Sequence, residues 1–527
     1  MKKTLKILIV IIFSLLVLAA AAILWATAKL ATDAPGIERP HFSRFELGDG
    51  AADGTAKPNE TGFVVDSTGK GRIVPPMPPE KPMDIHTAEN YKKNLALRSC
   101  FWPGPRARNG VFTNDANSFS WENQFPDTAT TYIPTAFKLP SGAKLVVQGE
   151  FPHMRHWNFN TYNPRGEPQD ALNDVEINPD PGSVNPFMVG VPRDSSKRRY
   201  TFTVVNGKPA SPRPANTLYT NAEAGNEVFM WMRNYVPDHS ADYLGGVGLP
   251  KVTMVLADGK RLEDDAACEA SNTPMRGKQL PSSVDGRAWV LLTHLPWIDT
   301  ENVGAKDVEA RPLQAFFNRK QVVTDLFFPG LTPKEPEQLG GWWSNKVTRY
   351  GYTFLSRNFG QVYVMTAKLP RTPKNWHGEK ENTADFDMRY FSICTGGSLT
   401  AASTPDCIYD EQLAASVDSN GRYALVISRQ EDRPSNATEP CGVAWIDIGN
   451  GDGMVSGSPN FASVINRHTQ VNADFKNSWF AVAKTGTEKE AMGDYLPYVL
   501  NLNVKARFEA LGCPVDKSKL WDMLPKK

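Results

Sequence analysis

No sign of charge dominates this chain: 58 lysines and arginines stand against 57 aspartates and glutamates in 527 residues. The basic footprint of a nucleic-acid binder is missing, so nucleic acid is not an expected partner. Histidine is scarce, at eight residues, and cysteine scarcer, at six. None of the cysteines forms a C-x-x-C pair, which argues against thiol-redox and zinc-ribbon classes. The motifs G-x-S-x-G and H-E-x-x-H and the P-loop do not occur, which argues against the standard serine hydrolases, zincins and nucleotide-binding proteins.

What the chain has is turn-forming residues. Forty glycines and 41 prolines favour short strands joined by many turns over long helices, so the expected class is all-β with minor helices. At roughly 150 residues per domain, the length leaves room for two large domains. Residues 7 to 28 carry no charge, and as a helix of about 1.5 Å per residue they would span a bilayer core. Lys2, Lys3 and Lys6 precede this stretch and only Lys29 closely follows it, which keeps the N-terminus cytoplasmic. Residues 1–28 are thus expected to be an uncleaved signal-anchor, a cleavable signal peptide being the rival reading. The membrane is then a partner through this helix. The globular part lies on the periplasmic or extracellular side of the cytoplasmic membrane. Residues 29–88, with eight prolines between Pro35 and Pro82, read as a tether.

The remainder reads as one fold written twice. With a shift of 218 residues, Tyr132 through Pro152 lies over Tyr350 through Pro370, and five positions are identical: Tyr132/Tyr350, Thr135/Thr353, Gly142/Gly360, Val146/Val364 and Pro152/Pro370. After about 16 extra residues in the second copy, the run from Met154 to Phe159 meets the run from Met388 to Ile393. Two further pairs keep the order, Tyr200 to Val205 with Tyr423 to Ser428, then Trp231 to Arg233 with Ile465 to Arg467. These blocks are short and rich in β-branched and aromatic residues. The expectation is two tandem antiparallel β-sandwiches, residues 89–300 and 341–500, arising by internal duplication. Between them, residues 301–340 are expected to be a helical connector, because Asp307 to Leu326 has apolar residues at helical spacing, and residues 501–527 form a C-terminal segment.

The strand Phe391-Ser392-Ile393, the strand end Arg233-Asn234-Tyr235-Val236-Pro237 and the single exported anchor resemble bacterial envelope proteins with tandem β-sandwich (jelly-roll-like) domains of unknown function. The resemblance covers roughly residues 130 to 480. It implies an extracytoplasmic location and carries no settled activity.

Strand alternation places Arg155, Trp157, Phe159 and Thr161 on one face, read as core, and His156, Asn158, Asn160 and Tyr162 on the other. An arginine on a core face needs a partner, so a carboxylate is expected between Arg155 and Arg233, and between Arg389 and Arg467. The polar face, with Asp170 and Asp174 from the following loop, is the candidate ligand site. Asp170, Asp174, Glu176 and Asp180 could together surround Ca²⁺, though their spacing matches no regular calcium loop and a solvated charged loop is the rival reading. His153, His156, Glu176, Asp180, Asp238 and His239 are the candidates for a transition metal. Two uses compete: binding a small, partly apolar ligand or a glycan, and a metal-dependent or acid/base hydrolase or lyase in the first sandwich. All six cysteines fall beyond residue 28, where thiols oxidise. Cys100 and Cys268 flank the first domain and should pair. Cys394 and Cys407 flank a short loop, leaving Cys441 for Cys513.

Overall fold

The computed structural model describes residues 63–65, 71–73, 101–102, 125–164, 166–239, 241–242, 244–271, 298–299, 302–328, 331–379, 385–397, 404–449 and 460–525. The expected anchor at 1–28 lies outside the described residues, as does the tether except for the short antiparallel pair β1 (Phe63–Val65) and β2 (Gly71–Ile73). Among the described residues, no helix is long and apolar enough to cross a membrane.

These residues are mostly β, with a few short helices. The first half contributes β3 (Thr130–Lys138), β4 (Lys144–Glu150), β5 (Met154–Tyr162), β6 (Pro168–Asn173), β7 (Arg199–Val205), β8 (Thr217–Tyr219), β9 (Glu227–Pro237), β10 (Lys251–Val255) and β11 (Arg261–Glu263). They form two sheets, in the orders β3-β9-β5-β6 and β11-β10-β4-β7-β8. The second half contributes β12 (Ala310–Pro312), β13 (Gln314–Phe316), β14 (Thr348–Ser356), β15 (Val362–Lys368), β16 (Met388–Gly396), β17 (Cys407–Tyr409), β18 (Arg422–Ser428), β19 (Ala444–Asp447), β20 (Phe461–Val471) and β21 (Tyr498–Asn503). Its sheets run β13-β14-β20-β16-β17 and β12-β21-β15-β18-β19. The orders β14-β20-β16-β17 and β21-β15-β18-β19 repeat β3-β9-β5-β6 and β10-β4-β7-β8 position for position. Even the parallel pairs correspond: β7 with β8, and β18 with β19.

Each pair of sheets closes on one apolar core, as half-polar strands require. In the first half, Ile133, Val147, Trp157, Phe159, Phe202 and Met230 meet; in the second, Leu355, Met365, Phe391, Ile393, Leu425 and Val464. Strict alternation fails at one place in each. Met154 and Trp157 both enter the first core although they are three positions apart, as do Met388 and Phe391 in the second. Opposite these slips, Val236 and Gln470 hold φ of 44° and 48°, a costly conformation for a β-branched valine. The consequence corrects the expected face: Arg155 and Arg389 leave the core side and point between the halves.

The expected helical connector is also corrected. Among the described residues of 301–340 the α-helix is confined to Arg319–Phe327, capped by the Asn318 side chain accepting from the Gln321 amide at 2.8 Å. The residues before it form β12 and β13, which pair with β21 and β14. Pro312 has no amide hydrogen for a helix but is tolerated in β12, an edge strand. The helix packs not between the halves but against Phe316, Tyr352, Phe354 and Phe461 of the second.

Two disulfides lie where expected, Cys394–Cys407 and Cys441–Cys513. Cys268 is also disulfide-bonded, and its expected partner Cys100 lies outside the described residues.

Candidate functional site

The sheets containing β5 and β16 face each other, and each is completed by a segment from the opposite half. Phe125, just ahead of β3, packs on the second half with Tyr352, Phe354 and Phe461. Trp343, ahead of β14, packs on the first half with Tyr162, Phe229 and Trp231, stacking on Trp231 at 5.1 Å. Both have positive φ, 52° and 57°. Arg467 donates to the Phe125 carbonyl at 2.6 Å, and Arg233 donates to the Trp343 carbonyl. Two residues on, the exchange is polar. Asp127 accepts from Tyr390 at 2.8 Å and Ser392 at 2.5 Å, with Arg467 at 3.6 Å. Its counterpart Asn345 accepts from Asn158 at 2.9 Å and donates to Tyr235 at 2.8 Å. Tyr132 and Tyr350 hold these segments by accepting from the Asp127 and Asn345 amides at 2.9 and 2.8 Å. Burial, then the Asp127 carboxylate, pushes the Tyr132 hydroxyl up to about 12.

The four arginines singled out in the sequence all lie at this junction, but not with one carboxylate between each expected pair. Arg155 is fully buried and bridges to Asp410 and Glu411 of the other half, with its Nε donating to Asn375 at 2.7 Å. Burial opposes its charge, yet Asp410 and Glu411 outweigh burial and raise its pKa. Arg389 donates to the Phe187 and Arg155 carbonyls of the first half. Asp174 is the acid acting on it. Among the described residues Arg233 has no carboxylate partner; its guanidinium sits over the rings of Tyr132, Tyr162 and Trp231. Such contacts are worth about 2 kcal/mol or more when desolvated.

The polar face of β5, expected to bind ligand, is filled by the chain itself. His156 bonds Asp174 at 2.7 Å, Asn160 accepts from the Lys346 amide at 2.9 Å, and Tyr162 donates to the Ser344 carbonyl at 3.1 Å. Asp170 accepts from Arg213 at 2.8 and 3.0 Å and from the Tyr219 amide at 2.8 Å. Burial pushes the Asp174 carboxyl up, but the His156 ring, Arg389 and the Trp157 amide prevail and hold it below the usual carboxylate range. His156, Asn158, Asn160, Tyr162, Asp170 and Asp174 are therefore interior residues, and the covering segment starts 181 positions after Tyr162.

The proposed metal ligands do not converge. Glu176 accepts from the Asn173 amide at 2.9 Å, Asp180 from Thr201 at 3.2 Å, and His156 is engaged with Asp174. Among the described residues, the ligand atoms of three acids, histidines or cysteines come within 4.8 Å of one another only at Asp127, Cys394 and Cys407. Those sulfurs are bonded to each other, so the group offers no thiolate pair.

The halves differ in several loops, the 26 residues between β20 and β21 against 13 between β9 and β10 among them. Twenty residues separate the bridged pair Pro179 and Tyr200 in the first half, against five between Val417 and Tyr423 in the second. Conversely, three residues join β4 to β5 while nineteen join β15 to β16. These two insertions meet. Asp238, at the end of β9, accepts from Arg193 of the first loop and from Asn375 of the second at 2.9 Å. Beside it, His239 meets Trp376 edge-on at 4.7 Å. The first loop packs against Pro152 and His153 through Pro186, Phe187, Arg193 and Arg198 in a shallow crevice with no room for a water molecule. Arg198 is anchored by donating to the carbonyls of Phe151, Arg193 (3.0 Å) and Pro152 (3.3 Å), and its Nη1 lies 2.6 Å from His153 Nε2. Burial lowers it to about 10. Burial and then Arg198 push the His153 imidazole down as well. Sequence reasoning named His153, Asp238 and His239 but missed Arg193, Arg198, Asn375 and Trp376; the unequal loop lengths were the available signal.

Neither a protein-family model nor a curated protein matches the chain. Among solved structures it is similar to an uncharacterized protein from Burkholderia cenocepacia, at 10% identity and a TM-score of 0.39, over 73% of this chain and 82% of that one. It is also similar to a protein from Vibrio parahaemolyticus, at 12% identity and a TM-score of 0.33, over 72% of this chain and 90% of that one.

Proposed function

We propose that the protein is an extracytoplasmic binding protein of the cell envelope, held to the cytoplasmic membrane by residues 1–28. It is built from two tandem β-sandwiches that arose by duplication, and it takes a small, partly apolar ligand or a glycan on the surface where two insertions meet beside Asp238. The matching strand orders and the equivalent exchange segments support the duplication. One observation carries the binding reading: two insertions, each held by one copy alone, come together at Asp238, beside the ring pair of His239 and Trp376. Shared positions maintain the common fold, so elements held by one copy alone are where a specific task was added. The hydrolase reading has less support, because its histidines and acids are dispersed. Titration of the full chain with hexanoate, hexyl phosphate, hexyl glucoside and glucose tests the proposal by thermal shift. At least one should raise the melting temperature, increasingly with the logarithm of its concentration above Kd; no response to any of them would sink it.

A further inference from the structure

A different surface crosses the junction of the halves at the far end of β5. The Asp238 amide donates to the His153 carbonyl just ahead of β5, whereas the Lys346 amide donates to Asn160, seven positions on, roughly 20 Å away at about 3.3 Å per residue. Here three cations share one carboxylate. Arg213 takes both oxygens of Asp170, at 3.0 and 2.8 Å, and the Tyr219 amide donates to the same group. Lys346 makes no ion pair among the described residues: its Nζ donates to the Gln169 carbonyl at 2.6 Å and keeps two further hydrogens. Arg349 makes none either. Its Nη1 donates to the Lys346 and Thr348 carbonyls at 3.2 and 3.3 Å, while its Nε and Nη2 have no acceptor among the described residues. Partial burial lowers the Lys346 pKa; Asp170 opposes the shift, and Arg213 and Arg349 reinforce it. Beside these cations, the Arg349 guanidinium sits 4.8 Å over the ring of Phe480, which is 42% exposed, and the exposed Asn221 donates to the Gln169 side chain at 2.7 Å.

Asn221, Gln169, Lys346, Arg349 and Phe480 thus form one line of contacts from the first half to the second. The equivalent exchange segment lacks the cations: at the offset of 218, Lys346 and Arg349 stand over Thr128 and Thr131. The common fold therefore does not require them. We propose that this strip binds an acidic glycan, with carboxylates on Lys346 and Arg349, a sugar face against Phe480, and hydroxyls on the Gln169 and Asn221 amides. Ammonium and guanidinium donors suit carboxylate oxygens, and an aromatic ring with polar neighbours suits a sugar, which is apolar on its face and polar at its edge. Two unneutralised cations are too few to hold a bilayer, which takes a cluster of about four or more. The strip is separate from the surface beside Asp238, and neither reading depends on the other.

Isothermal titration of the full chain in phosphatidylcholine nanodiscs with tetragalacturonate tests this, maltotetraose being the neutral control. Tetragalacturonate should bind at least about tenfold more tightly than maltotetraose, and Lys346→Gln and Arg349→Gln should each weaken it about tenfold. Lys346→Arg, which keeps the charge, should hold the affinity within about threefold. Arg349 also anchors two carbonyls, so if its variant lowers the melting temperature the exposed Lys346 carries the test. No binding of tetragalacturonate, equal affinity for maltotetraose, or full affinity in Lys346→Gln would overturn the proposal. Displacement of the glycan by sulfate at equal concentration would reduce the strip to a simple anion site and overturn it as well. Binding of phosphatidylglycerol vesicles through Lys346 and Arg349, with no response to tetragalacturonate, would assign the strip to a bilayer instead.

Discussion

Acidification should destabilise the second half through a single histidine. His468 is fully buried on β20 between the rings of Phe391 and Trp479, at 5.4 and 5.8 Å, and neither ring nitrogen has a hydrogen-bond partner among the described residues. Burial lowers its pKa from 6.5 to about 3. The unfolded chain therefore takes up the proton first, and stability is lost as pH falls below 6.5, reaching its full loss only near pH 3. Linkage with these two values gives a loss of about 2 kcal/mol between pH 7 and pH 5, and about 3 kcal/mol by pH 4. His468→Leu removes the titration while keeping an apolar side chain in the space. Urea unfolding of both proteins at pH 7 and pH 5 isolates the effect, because all other titrating groups cancel in the difference. The wild type should lose about 2 kcal/mol more than the variant over that interval. Equal losses would mean that His468 is hydrated or paired in the folded protein, and the reasoning would be refuted.

Other consequences are equally open to measurement. Arg155→Met leaves Asp410 and Glu411 buried without their cation and should destabilise by about 3–5 kcal/mol, read by urea unfolding at pH 7. Removing the Cys441–Cys513 bridge, 72 residues apart, should cost about 4 kcal/mol, and Cys394–Cys407, 13 apart, about 3 kcal/mol on the chain-entropy estimate; the order of the two losses in serine variants is the check. A Cβ at Gly351 would lie 2.0 Å from the Trp479 ring, so Gly351→Ala should cost about 1–3 kcal/mol by overpacking and alter tryptophan emission. Intact-mass measurement should find residues 1–28 retained; a chain starting at Lys29 would remove the anchor.

Much of the fold was legible because its signals are local. Alternation and turn residues located the paired strands of both halves, and a short loop located the Cys394–Cys407 bridge. What stayed hidden was long-range. The polar face of β5 reads as an open site because the sequence around Asn158 and Tyr162 gives no sign that Trp343 to Lys346 will cover it. Yet the same offset of 218 that aligns Tyr132 with Tyr350 also aligns Phe125 with Trp343 and Asp127 with Asn345. Extending the comparison seven residues upstream would have reached the exchanged segments. The slip between Met154 and Trp157 was not legible, since it depends on a left-handed valine in a neighbouring strand. Alternation alone therefore sent Arg155 into the wrong layer.

Hydrogen exchange measured strand by strand tests most directly whether the halves are interlocked copies. Arg155 lies in the first half, but its acids lie in the second, and each half is finished by a segment of the other. Arg155→Met should therefore lower the opening free energy of β16 and β20 by the same amount as that of β5 and β9, as expected of one cooperative unit. Loss of protection confined to β5 and β9, with β16 and β20 unchanged, would contradict the account.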